Sequence, residues 1–173
     1  RAYGAANPDQ HDWLEHITAE YATELSGMTV HGDALYFPAA GVVEGKVLCA
    51  ALLDHSNITV RQQIEPVMLS GCNIVCAASA TRDFPGCEHL EISEVWGQLD
   101  SYESSSKIAL VPVVGNGYLV PTESGCVIGA RYEYEPWTMQ TATAHNERLN
   151  KHYLAKAELA WQYATRAPRA VTS

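Results

Sequence analysis

Positive charge is scarce in this sequence: 11 lysines and arginines face 20 acidic residues, for a net charge of −9. Phosphate backbones are bound by clustered Lys and Arg, so this balance argues against a nucleic-acid footprint on this stretch. No apolar run reaches the roughly 18 residues of a transmembrane helix. The opening, Arg1-Ala2-Tyr3-Gly4-Ala5-Ala6-Asn7-Pro8, has no apolar centre of signal-peptide length. Cysteines are few and odd in number (Cys49, Cys72, Cys76, Cys87 and Cys126) and scattered through apolar segments. That argues against a disulfide-stapled secreted fold and predicts reduced thiols in a cytoplasmic setting. Missing too is a strand–GxGxxG–helix unit with an acidic residue about twenty positions later. Gly115-Asn116-Gly117 lacks the third glycine and lies between β-rich runs. This stretch is therefore not expected to hold a dinucleotide tightly.

What is present is ordinary for a soluble domain: 47% hydrophobic and 18% charged residues over 173 positions, enough for one core. No repeat, linker or charge run divides the chain. Residues 8–26 predict a helix, with Asn7 or Asp9 as cap and Trp13, Leu14, Ile17, Tyr21 and Leu25 as its apolar stripe. Residues 35–43 are extended, 44–55 helical, and 58–67 alternate as a strand. The continuous apolar run 73–78 predicts a strand covered on both faces. Strands are expected again over 90–99 and 107–114, the second with Pro112 at an edge or bulge, and a helix over 141–166. The fold class that follows is α+β, a mostly antiparallel sheet with flanking helices.

The chain is organised around residues 113–135, two β-rich runs flanking a turn at 122–125 that ends in Gly125. Alternation puts Cys126, Ile128, Ala130 and Tyr132 on one face and Val127, Gly129 and Arg131 on the other. With that turn, Tyr118 faces Gly129 and Asn116 faces Arg131. The missing side chain at Gly129, beside a Tyr, an Asn and an Arg, leaves room for a small anion. The competing reading is a solvated sheet face with a glycine bulge, on which Arg131 pairs with Glu133 or Glu123.

Asn116-Gly117-Tyr118-Leu119-Val120-Pro121, followed by Val127-Ile128-Gly129-Ala130-Arg131-Tyr132, resembles the DGYLxP…IGAxY hairpin of the D-amino-acid-oxidase-like flavoproteins. Trp96-Gly97-Gln98-Leu99 is similar to that family's GQV strand. Leu35-Tyr36-Phe37-Pro38-Ala39-Ala40-Gly41-Val42-Val43 is similar to its FYPxGGW segment, with Val42 in place of Trp. Asn146-Glu147-Arg148-Leu149 resembles its ENxxRL helix. These landmarks keep the family's order over about residues 20–173. Within the family, the resemblance is greatest to the oxidoreductase half of a bifunctional enzyme that modifies the tRNA wobble uridine.

The resemblance implies that residues 1–173 are a single substrate-domain-like fragment of a larger FAD-dependent oxidoreductase. Its partners would be the missing FAD-binding domain, a methyltransferase domain of the same parent chain, and tRNA, with no membrane. FAD would belong to the parent protein. In the family's chemistry the flavin takes a hydride from a CH2 next to a neutral amine, and hydrolysis of the imine releases an N-carboxymethyl group as glyoxylate. Pro168-Arg169-Ala170-Val171-Thr172-Ser173 resembles the GxRxxTxDxxP segment, whose Arg grips the substrate carboxylate, although Ala167 replaces the Gly and the Asp and Pro lie beyond Ser173. Arg169 is the implied carboxylate ligand and Arg166 the alternative register. Tyr118 is implied to line the substrate cavity, and Asn116 and Gln98 join the implied substrate-binding set.

Rival readings remain from other classes. One is a noncatalytic α+β binding or dimerisation module, in which Tyr118 is a cross-strand packing residue. Another is a fragment of a glycine- or sarcosine-type amino-acid oxidase. A zinc site at Cys72-x3-Cys76 with Cys87 and His89 is disfavoured, because that pair reads as part of a buried strand rather than a turn. Cys87 with His89, Ser79 and Ser173 lack the context of a nucleophile. His11 and His16 are five apart and do not share a helix face.

Overall fold

The computed structural model describes residues 13–61, 71–130, 132–134, 137–154 and 158–172. They form an α+β arrangement dominated by antiparallel sheet. Strands β1 (Glu15–Ile17) and β2 (Ala34–Tyr36) make a two-stranded sheet. A five-stranded sheet has the order β4 (Val113–Val114), β5 (Tyr118–Pro121), β6 (Gly125–Gly129), β3 (Ile92–Ser104) and β7 (Leu159–Thr172). Helices α1 (Ala19–Ser26), α2 (Gly45–Leu53), α3 (Met139–Leu149) and α4 (Lys151–Leu154) complete the elements, with a 3-10 segment at Ala78–Asp83.

Each described residue falls in one of two units, set by the ranges 1–42, 98–131 and 139–165, and 43–97, 132–138 and 166–173. In the first, the turn after β5 closes as predicted, the Thr122 N–H donating to the Gly125 carbonyl at 3.0 Å. The pairing Tyr118↔Gly129, Leu119↔Ile128, Val120↔Val127 is the register that this turn dictates. Leu119, Ile128 and Cys126 are almost wholly buried, with Tyr102, Ala109 and Met28 around them. Ile108, Tyr153, Leu154 and Leu159 pack against this cluster. Gly125 is required by closeness: a Cβ there would collide with the Tyr102 carbonyl of β3.

Several expected elements differ. The predicted helix over 8–26 starts only at Ala19, because the Thr18 hydroxyl caps it, accepting from the Tyr21 N–H at 3.4 Å. Residues 15–17 pair with β2 instead, and residues 1–12 lie outside the described residues. Gly27, at φ 71°, ends the helix as expected of a left-handed cap. Of the helix predicted over 141–166, the described part is helical through α3 and α4, but residues 159–172 are strand, and residues 155–157 lie outside the described residues. Trp161, Tyr163 and Thr165 suit an edge strand, and Pro168 is tolerated there because one side of an edge strand forms no ladder.

The predicted strand over 107–114 shrinks to Val113–Val114, where Pro112 interrupts the ladder. In the second unit α2 matches its predicted helix, yet none of its residues is buried. The run 73–78 is not a covered strand: residues 72–77 are irregular and Ile74 is 86% exposed. A buried strand needs layers on both faces, and the described residues supply none. Residues 58–61 are irregular too, and the rest of the strand expected there lies outside the described residues.

Candidate functional site

Gly129 does not leave a gap. A Cβ on it would meet the Tyr118 ring and hydroxyl at 2.6 Å and Leu99 Cδ2 at 2.8 Å, so Tyr118 lies across the glycine and fills the space expected for an anion. Tyr118 is half-buried by this packing. Asn116 is exposed in the turn between β4 and β5, while its expected partner Arg131 lies outside the described residues.

Gln98 is a core residue, 2% exposed. Its amide donates to Asp100 Oδ1 at 3.0 Å, to Thr143 Oγ1 at 2.8 Å and to the Met139 carbonyl at 3.3 Å. The centre of this arrangement is Asp100, a fully buried carboxylate on β3. Its Oδ1 also accepts from the Thr143 hydroxyl at 2.6 Å and the Trp161 indole N–H at 3.2 Å, and its Oδ2 from Asn146 Nδ2 at 2.7 Å. Donors from β3, α3 and β7 thus replace the water that this charge gives up. Farther along β3, the Tyr102 hydroxyl donates to Glu147 Oε1 at 2.8 Å. Burial, and then that carboxylate, hold the phenol protonated well above its ordinary range. Burial alone pushes the Cys126 thiol up to about 11.

The sequence reading missed Asp100, Thr143, Asn146, Asn150 and Trp161. The signal was present: Ala142, Asn146 and Asn150 recur at helical spacing and are buried, within the stretch expected as helix. Polar residues on a buried stripe mark a hydrogen-bonded core, not a solvated face.

The two candidate arginines both lie in the second unit and have different surroundings. Arg166 Nη2 donates to Glu133 Oε2 at 2.8 Å, with the two side chains only 15% and 3% exposed. The same oxygen accepts from the Trp137 N–H at 2.7 Å, and Arg166 lies over the Trp96 ring at 5.7 Å. Glu133 is held further by a paired backbone bridge to Trp96, at 2.7 and 2.9 Å. Arg169 is exposed, its guanidinium 4.4 Å from the centre of the Tyr132 ring, with no carboxylate partner among the described residues.

Gly115 and Gly117, closely spaced at a turn, are packed by the chain itself. A Cβ at Gly115 would meet Tyr153 Oη at 2.5 Å, and one at Gly117 would meet Asn150 Nδ2 at 2.6 Å and the Gly129 carbonyl at 2.7 Å. These glycines serve close packing against α4 and its start, and their turn does not lead into a helix N-terminus able to hold a pyrophosphate. Cys72 and Cys76, expected in a buried strand, are exposed, and all five cysteines are free thiols.

No family model matches the chain. Among curated proteins it is 26% identical over 147 residues to the tRNA 5-methylaminomethyl-2-thiouridine biosynthesis bifunctional protein MnmC of Chromobacterium violaceum, covering 70% of this chain and 22% of that protein. The protein of the same name from Pseudomonas entomophila is 24% identical, over 78% of this chain and 24% of its own length. That of Methylobacillus flagellatus is 25% identical, over 92% of this chain and 28% of its own length. The chain is thus similar over most of its length to bifunctional MnmC proteins, and it spans about a quarter of the length of these relatives.

Proposed function

We propose that this chain is the substrate-binding portion of an FAD-dependent amine oxidoreductase that removes an N-carboxymethyl group from a tRNA wobble uridine. The observation that carries the reading is the different state of the two arginines. Arg166 is committed to buried Glu133, while Arg169 keeps an exposed guanidinium at the position that resembles the family's carboxylate fork. A planar guanidinium offers two parallel N–H bonds to a carboxylate, which an ammonium does not. Gln98, with its amide turned into the core, serves to hold β3 on α3. The redox step belongs to a flavin held by residues other than those described, and this chain contributes recognition. With a net charge of −9, contacts to the tRNA backbone fall to other parts of the parent protein.

A second reading, a noncatalytic α+β binding module, is favoured by the packing role of Tyr118 and the burial of Gln98. Kinetics in the full-length protein separate the two. Arg169→Ala should lower kcat/KM for the carboxymethylated substrate by about 100-fold, the scale of a lost charge-assisted pair, and Tyr118→Phe by less. Unchanged kinetics in Arg169→Ala would remove that arginine from the site and leave the binding-module reading standing.

A further inference from the structure

From the placement of Arg169 over Tyr132 we infer that Tyr132 is a positioning residue for carboxylate recognition: its ring is the platform that fixes the Arg169 fork. This rests on the reading of Arg169 given above. Arg169 sits near the end of an exposed edge strand, and a long side chain there has about 2 kcal/mol of rotamer entropy to lose on binding. A carboxylate ligand must supply that ordering unless the protein has done so first. Tyr132 does so. The guanidinium carbon lies over the ring, 4.4 Å from its centre, and stacking on a ring face uses the plane of the fork rather than its N–H edge.

The platform is itself anchored. Tyr132 adjoins Glu133, whose backbone makes both hydrogen bonds of the bridge to Trp96 and whose carboxylate holds Arg166 and the Trp137 N–H. Glu133 therefore has two functions that the sequence does not separate. It occupies Arg166, the other arginine that could take a carboxylate, and it immobilises the residue on which Arg169 rests. Tyr132 remains half exposed, with one face given to Arg169, so the site is open to a ligand rather than sealed in a core.

The test is a titration of the 173-residue chain with N-methylglycine, the simplest secondary N-carboxymethyl amine, followed on the Arg169 Nε–H resonance. Methylamine, which lacks the carboxylate, is the control. The resonance should shift with N-methylglycine and not with methylamine. Tyr132→Phe should bind within about twofold of the parent chain, because the ring face is kept, whereas Tyr132→Leu should bind roughly three- to fivefold more weakly. Arg169→Lys, which keeps the charge but not the fork and removes that reporter, should bind N-methylglycine at least about tenfold more weakly than the parent chain by calorimetry. Tyr132→Leu binding as tightly as the parent would overturn the platform, as would equal losses in the Phe and Leu variants. An Arg169 resonance that never responds would instead sink the carboxylate reading itself. Retention of the Trp96 indole resonance in each variant reports that the Glu133–Arg166 pair is intact.

Discussion

Leu119 and Leu52 are the same residue in regular elements of one chain, yet Leu119 is 0% exposed and Leu52 is 67% exposed. Leu119 belongs to a hairpin that brings its own opposing layer: β6 beside it, and β3 and the α3–α4 segment closing the core face. Leu52 belongs to α2, which carries Val47, Leu48, Leu52 and Leu53 and buries none of them among the described residues. By hydropathy alone α2 and the run 73–78 are as apolar as the hairpin. Apolar character supplies the gain from burial, about 25 cal/mol per Å² removed from water, but something must be there to exclude the water. The hairpin region has it, and the described residues of 43–61 and 71–78 do not.

The largest expected effect comes from removing the polar centre of the first unit. Asp100→Ala strips acceptors from Gln98, Thr143, Asn146 and Trp161 at once, and urea unfolding should show a loss of at least about 3 kcal/mol. A loss under about 1 kcal/mol would mean that these donors find other partners. Next is the leucine pair. Leu119→Ala should cost about 3 kcal/mol, while Leu52→Ala should stay within about 0.5 kcal/mol of the parent. Equal costs would break the contrast between the regions.

Smallest is an alkaline effect confined to the core. The folded state raises the Cys126 thiol from 9.0 to about 11, so the folded chain holds the proton more tightly than the unfolded one. Stability from this group is intact below pH 9 and is lost as pH rises toward 11. Cys126→Ala should flatten the fall between those values. In the same protein at neutral pH, iodoacetamide should modify Cys49, Cys72 and Cys76 freely and spare Cys126.

What the sequence made legible was local. The turn at 122–125 is set by four adjacent residues, and once it is set, alternation fixes the facing of Tyr118 and Gly129. Expectations that depended on distant partners fared worse. Ala157, Ala160 and Ala164 carry helix propensity, but pairing beside β3 draws residues 159–172 into strand. The motif favours Arg169 but leaves Arg166 as an alternative register, and their surroundings differ through Glu133, 33 positions before Arg166. The gap at Gly129 was misjudged for a related reason. Alternation says which side chains share a face, but not that a tyrosine ring will lie down across the vacancy.

The Asp100 cluster also imposes an order of events on a chain made from its N-terminus. Residues 118–129 can pair as soon as they are synthesised, since their contacts are local. Asp100 must wait for Thr143 and Asn146, and its contact with Trp161 spans 61 positions. At translation speeds of about 5–20 residues per second, a charged carboxylate on β3 stays hydrated for several seconds after the hairpin beside it has formed. That hydration delays closure of the sheet face until α3 and β7 have left the ribosome.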